Sequence, residues 1–241
     1  MIALCLLAAG GARRFGVPKA LLPAGPGETL LSRALRQALP LGPTTVVVGY
    51  EAELHRQALQ PFREVTVLEN QAWASGQSSS LRLALRWAQA QGAAGLLVAL
   101  PDQPALQRDH LEALIQAFRP ELAGVVATFQ GTPRSPALLG ARLFPQLQLL
   151  QGDQGARSLL RSATPLAQVA WNDPLLFEDV DTWDAYEALA RRFGWDTEPS
   201  DHLVDSFEEL KAAWPHQRGP ERLGWLRAAT LSVLHASASL L

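Results

Sequence analysis

Among its 241 residues the chain has a single cysteine, Cys5. One thiol excludes an internal disulfide and a cysteine-rich metal site, and its place inside an apolar run suits a reducing, cytoplasmic setting. A charge excess is lacking too: 21 Lys and Arg against 23 Asp and Glu leave a formal net charge of −2. That balance gives no general attraction to nucleic acid or to an anionic membrane, so any anion must be held by local cations. Long apolar runs are missing. The N-terminal run ends after nine residues at Gly10, with no basic leader before it, too short for a membrane span or a signal peptide. Two common nucleotide loops are also absent. There is no GxGxxG, and the lysine after Gly11 comes eight residues later, behind Pro18, outside Walker spacing. No internal repeat is found, and the length suits one domain with an appendage.

What the chain does have is LAAGGARRFGVPKALLP, from Leu7 to Pro23. A buried strand, a tight turn at Gly10 and Gly11, and then Arg14 and Lys19 make a loop in which backbone N–H groups and two cations can meet an anionic ligand. We read Leu7, Ala8, Ala9, Gly10, Gly11 and Ala12, with Arg14 and Lys19, as a triphosphate-binding loop. An ordinary strand-to-helix turn with solvated arginines is the plain alternative.

Hydrophobic periodicity predicts strands at Ile2–Ala9, Thr45–Val48, Val65–Leu68, Gly95–Leu100, Gly124–Phe129 and near Ala167–Trp171. Helices are predicted at Thr29–Leu39, Ala52–Leu59, Ser78–Gln91 and His110–Phe118. This alternation predicts a three-layer α/β/α sandwich with a mostly parallel sheet. In such sheets ligands collect beyond the carboxyl ends of the strands. Asp102 follows the strand GLLVAL and stands between Pro101 and Pro104, which keep a helix from starting. A carboxylate there can bind a hard cation, or simply serve the turn. Asp181 follows the last strand; it or Thr182 can cap a helix that ends at Gly194.

With these residues in view, Leu7 to Pro23 resembles the first motif of nucleotidyltransferases with a glycosyltransferase-A-like fold, LAAGxSxRFGxxKxLLP. Within them it resembles the molybdenum cofactor cytidylyltransferase group of the molybdopterin nucleotidyltransferases. ENQAWASGQSSSLRLAL (Glu69 to Leu85), LPDQP (Leu100 to Pro104), LFPQLQLLQGDQGARSLL (Leu143 to Leu160) and EDVDTWDAYEAL (Glu178 to Leu189) are similar to further motifs in the same order. The resemblance covers about residues 1 to 193.

It implies a Mg²⁺-dependent enzyme that transfers CMP from CTP to the phosphate of molybdopterin, releasing pyrophosphate. The implied catalytic residues are Arg14, Lys19 and Asp102, with the metal held by Asp102 and Asp181. Ser79 and Ser80 are implied contacts to base or ribose, with capping of the long helix as the alternative. Asn70 and Trp73 are candidates for the pocket wall, and Asp153 and Arg157 are implied on the acceptor side. The LAAG form tilts the resemblance toward CTP rather than GTP. Two departures stand out: Ala12 replaces the usual serine of the loop, and GTPRSP (Gly131 to Pro136) places Ser135 where many members carry histidine. Arg134 could supply charge toward the acceptor, or be an exposed loop arginine. Other readings therefore stay open at this point: a guanylyltransferase, a sugar or small organic phosphate nucleotidyltransferase of the same fold, or a non-catalytic maturation factor that carries nucleotide or cofactor.

The division expected is a nucleotidyltransferase domain, 1–194, and a C-terminal helical extension, 195–241. DTEPSDH reads as a linker. Leu203, Phe207, Leu210 and Trp214 then fall at helical spacing, and Leu223, Leu226, Leu231 and Leu234, with Trp225, continue an apolar face. That face suits packing on the sheet domain or binding a partner; the resemblance implies a further subunit or a molybdenum hydroxylase client.

Overall fold

Alternation along the first strand explains the layering. In β1 (Ile2–Ala8), Leu4, Leu6 and Ala8 enter one buried cluster, while Ala3, Cys5 and Leu7 enter another. A strand apolar on both faces belongs inside a sheet covered on both sides. The computed structural model describes residues 1–11, 15–195, 203–204 and 206–238. After β1 come α1 (Leu30–Ala38), β2 (Thr44–Val48), α2 (Ala52–Leu59), β3 (Thr66–Glu69), α3 (Gln77–Ala90), β4 (Gly95–Ala99) and α4 (Arg108–Ala117). Next are β5 (Gly124–Phe129), β6 (Thr132–Gly140), α5 (Phe144–Gln148), α6 (Ala156–Leu160), β7 (Leu166–Ala170), α7 (Trp183–Phe193), α8 (Phe207–Ala213) and α9 (Arg222–Ala238).

The strands form one sheet in the order β3-β2-β1-β4-β6-β5-β7. Pairing is parallel throughout except at β6, which runs antiparallel to both β4 and β5. The apolar residues of α1, α2, α4 and α7 pack on one face, and those of α3, α5 and α6 on the other. The expected α/β/α sandwich with a mostly parallel sheet is the observed fold. Strand β6 was not expected: TPRSPALLG reads as a loop because Pro133 and Pro136 lack the N–H groups a strand donates. It is tolerated where the β5–β6 register shifts, between Val126 and Ala127. Arg134 is therefore a strand residue in register with Ala127, not a loop arginine.

Local chemistry sets the helix ends that matter for the site. Thr29 caps α1 through the Ser32 N–H, and Ser32 returns the bond. Of the two candidate caps of α7, it is Thr182, accepting from the Ala185 N–H; Gly194, at φ 64°, ends the helix. Asp181 stands just before that cap, at the head of α7.

The C-terminal helices lie on the sheet domain. Leu210, Trp214, Leu226, Leu231 and Leu234 share one buried cluster with β1, α1, α2 and α7, so most of the apolar face read as a docking surface is covered by the chain itself. Leu203 departs from the expected pattern: it precedes α8, whose cap is Ser206, and is exposed. The stretch read as a linker, 196–202, lies outside the described residues, as do Ala12 and Arg14. Among the described residues no helix is long and apolar enough to cross a membrane.

Candidate active site

At the carboxyl ends of β1 and β4 the chain opens a cleft of about 530 Å³. Leu7 to Gly11 form its rear wall, and Pro18, Lys19 and Ala20 return along one side. A third side comes from Leu100, Pro101 and Asp102, just past β4, with Asp181 beside them. The opposite side is the start of α3, with Gly76, Gln77 and Ser80, and Asp153 closes the rim.

Lys19 stands at the centre of the charged side. Its Nζ donates to Asp102 Oδ2 at 2.6 Å and to Asp181 Oδ1 at 3.2 Å, residues 83 and 162 positions away in sequence. The Val180 N–H also donates to the Asp102 carbonyl at 2.9 Å, so backbone as well as side chains join the two aspartate segments. Phe15 lies beneath, its ring centroid 5.9 Å from Nζ. These aspartates can fit a hard cation. Asp102 Oδ1 is buried with no hydrogen-bond partner, an arrangement that costs free energy unless something binds there. No three His, Cys, Asp or Glu side chains converge into a ready-made metal cluster among the described residues. A magnesium-type site that completes its shell with water and substrate phosphates needs only one or two carboxylates.

Asp179 escaped the sequence reading. The residue as a whole is exposed, yet its carboxyl is crowded: burial, then the charge of Asp102, pushes it up to about 6, with Asp181 adding and Gln103 and Lys19 opposing. Three carboxylates, Asp102, Asp179 and Asp181, thus act on one another around the single ammonium of Lys19.

The α3 side is built by hydrogen bonding rather than charge. Asn70, buried after β3, donates through Nδ2 to Ser79 Oγ at 2.8 Å and to Ser80 Oγ at 2.9 Å. Ser79 in turn donates to the carbonyls of Gly76 and Ala72. Ser79 is thus consumed in fixing the turn, while Ser80 lines the cleft. Neither serine caps α3, whose N-cap is Gly76. Trp73 wedges between Gly11 and Gly49, where any Cβ would come within 2.6 Å and 2.5 Å of its side chain. Its indole is both cleft wall and packing, meeting Tyr50 edge-on at 5.8 Å.

His55 also lines the cleft, and sequence reading passed it over as one more residue of an amphipathic helix. It is 2 % exposed, with Nδ1 3.0 Å from the Glu51 carbonyl oxygen. A carbonyl only accepts, so in the neutral ring Nδ1 carries the proton and Nε2 is an acceptor. Burial lowers its pKa from 6.5, with Glu51 opposing.

The rim around Gly152 and Asp153, implied above as the acceptor side, is less formed. Gly76, at φ 109°, abuts the Gly152 carbonyl so closely that a Cβ would lie 2.3 Å from it. The Ser78 N–H donates to that same carbonyl at 3.1 Å. Through this contact Asp153 reaches the rim, but Arg157, exposed on α6, does not line the cleft. Nor do Arg134 and Ser135 of β6.

Comparison with known proteins shows the family. The model of the MobA-like NTP transferase domain matches residues 4–169, and the chain belongs to that family. It is 33% identical over 197 residues to the purine catabolism protein PucB of Bacillus subtilis (strain 168), covering 77% of this chain and 94% of PucB. It is 34% identical over 128 residues to a probable molybdenum cofactor guanylyltransferase of Rhodopirellula baltica, covering 53% of this chain and 61% of that protein. The manganese complex of Rv0371c from Mycobacterium tuberculosis H37Rv superposes with a TM-score of 0.63 at 28% identity, over 79% of this chain and 98% of Rv0371c. The chain is thus a nucleotidyltransferase by fold and family.

Proposed function

We propose that this nucleotidyltransferase moves CMP from CTP to the phosphate of molybdopterin and releases pyrophosphate. The observation that carries the reading is Lys19 bridging Asp102 and Asp181 at the foot of the loop after β1. Both reactants are anions, so charge neutralisation and alignment dominate the barrier. Lys19, with Arg14 from the same loop, exchanges its carboxylate partners for the triphosphate and meets the charge developing on the leaving group. Asp102 and Asp181 are the residues that would hold Mg²⁺, which supplies further neutralisation of phosphate charge.

The acceptor phosphate is ionised near neutral pH, so the chain need provide no nucleophile. An oxygen of that phosphate forms a bond to the α-phosphorus as the bridging bond to the β-phosphate breaks, and the electron pair leaves with pyrophosphate. Gly10 and Gly11 offer backbone donors at the end of β1. Ser80, steadied by Asn70, lies where base or ribose can be read, and Asp153 and Arg157 stand on the acceptor side.

A guanylyl transfer is the second reading, favoured by the R. baltica relative. The two separate in one assay: pyrophosphate release with CTP, GTP, ATP and UTP, each against molybdopterin with Mg²⁺. CTP is expected to give the highest kcat/KM; a strong preference for GTP selects the second reading instead.

A further inference from the structure

The C-terminal helices make three contacts with residues that stand one layer behind the cleft wall. Phe207 of α8 stacks on Trp183, centroids 4.2 Å apart and 14° between planes, and Trp183 meets Phe15 at 4.7 Å. Since the Lys19 ammonium lies over the Phe15 ring, a continuous line of contacts runs from α8 to the bridging lysine. Beside it, the aliphatic part of Lys211 lies on Gly16 of the same loop, where a Cβ would be 3.1 Å from Lys211 Cγ.

The third contact is an ion pair. Arg222, at the start of α9, donates through both terminal nitrogens to the Glu51 carboxylate at 2.9 and 2.8 Å, and its guanidinium lies 4.2 Å from the centroid of Trp214. Glu51 needs holding. It has φ 52°, a left-handed conformation uncommon for a residue other than glycine. Its carbonyl is the partner that sets the ring of His55 in the cleft.

We propose that the C-terminal helices are a brace for the nucleotide loop and for His55, with Phe207 and Arg222 as positioning residues that set triphosphate affinity from outside the cleft. This rests on the reading that the loop after β1 binds a triphosphate. The contacts are separable from the packing that keeps the helices in place. Leu210, Trp214, Leu226 and Leu234, each 2 % exposed or less, do that work, and they remain when Phe207 or Arg222 is changed. A side chain that only glued the helices down would alter stability; one that orders a binding loop alters how much binding free energy is lost to ordering.

The test is equilibrium binding of CTP, and of GTP, with Mg²⁺ and no acceptor, to the full chain and to two variants, Phe207→Leu and the double variant Glu51→Gln/Arg222→Met. The double variant leaves no unpaired charge. Each is expected to weaken triphosphate binding about tenfold, the scale of one lost contact network. In turnover the loss should fall on KM for the triphosphate and leave KM for the acceptor unchanged. Phe207→Tyr, which keeps the stack, should restore affinity. Folded variants that bind the triphosphate as tightly as the unchanged protein overturn the brace alone. An unchanged protein that binds no triphosphate overturns the brace and the function it rests on together.

Discussion

The two sides of the cleft are built differently. On the charged side, Lys19, Asp102 and Asp181 are drawn from three distant segments and joined by charge and by the Val180 to Asp102 backbone bond. On the opposite side, Asp153 reaches the rim while Arg157, Arg134 and Ser135 stay outside the lining. One half is tied together by its own ion pairs, whereas the other is an exposed rim carried by the loop before the short helix α6. Under the proposed function, catalysis falls to the tied half and acceptor choice to the open rim.

Substitutions can break that contrast. Asp102→Ala and Lys19→Ala should each lower kcat about a hundred- to a thousandfold, the scale of losing one preorganised electrostatic partner, with a native circular dichroism spectrum. Next in size is Gly76→Ala, which strikes the seam where the two sides meet. Positive φ and the clash with Gly152 should cost about 2–4 kcal/mol in chemical denaturation, and activity should fall with the displaced loop. Asn70→Ala removes the donor shared by Ser79 and Ser80, so stability should drop by about 1–3 kcal/mol. The kcat/KM ratios among triphosphates should narrow at the same time.

The smallest effect sharpens the role of His55. Its folded pKa lies below its ordinary value of 6.5. As pH falls through 6.5, the unfolded chain therefore takes up a proton that the folded chain resists, and stability declines with acidity. His55→Gln should flatten that decline in melting curves taken between pH 7 and pH 5, whatever the offset in stability that repacking the buried site brings at pH 7.5.

How far the sequence could be read follows the same physics. The parallel strands announced themselves as short apolar runs, and Gly124–Phe129 and Ala52–Leu59 fall where periodicity put them. β6 did not, because its two prolines speak against a strand; Pro133 pairs in register with Thr128, and Pro136 is accommodated where the register shifts. The approach of Lys19 to Asp102 and Asp181 was expected from strand ends and motif order. Asp179, two residues from Asp181, was missed because spacing cannot tell which carboxyl is crowded. His55 was missed because its meaning lies in a backbone carbonyl that only the folded helix presents to it. Ser79 and Ser80, adjacent in sequence and equivalent on paper, both accept from Asn70, and only the bonds of Ser79 to the Gly76 and Ala72 carbonyls make it a turn residue while Ser80 lines the cleft.

Product analysis after mixing the pure protein with molybdopterin, Mg²⁺ and CTP tests the central claim most directly. A CMP-linked pterin and one pyrophosphate per product are expected, both lost in a folded Asp102→Ala variant. Binding of both substrates without product, or full activity in that variant, would contradict it.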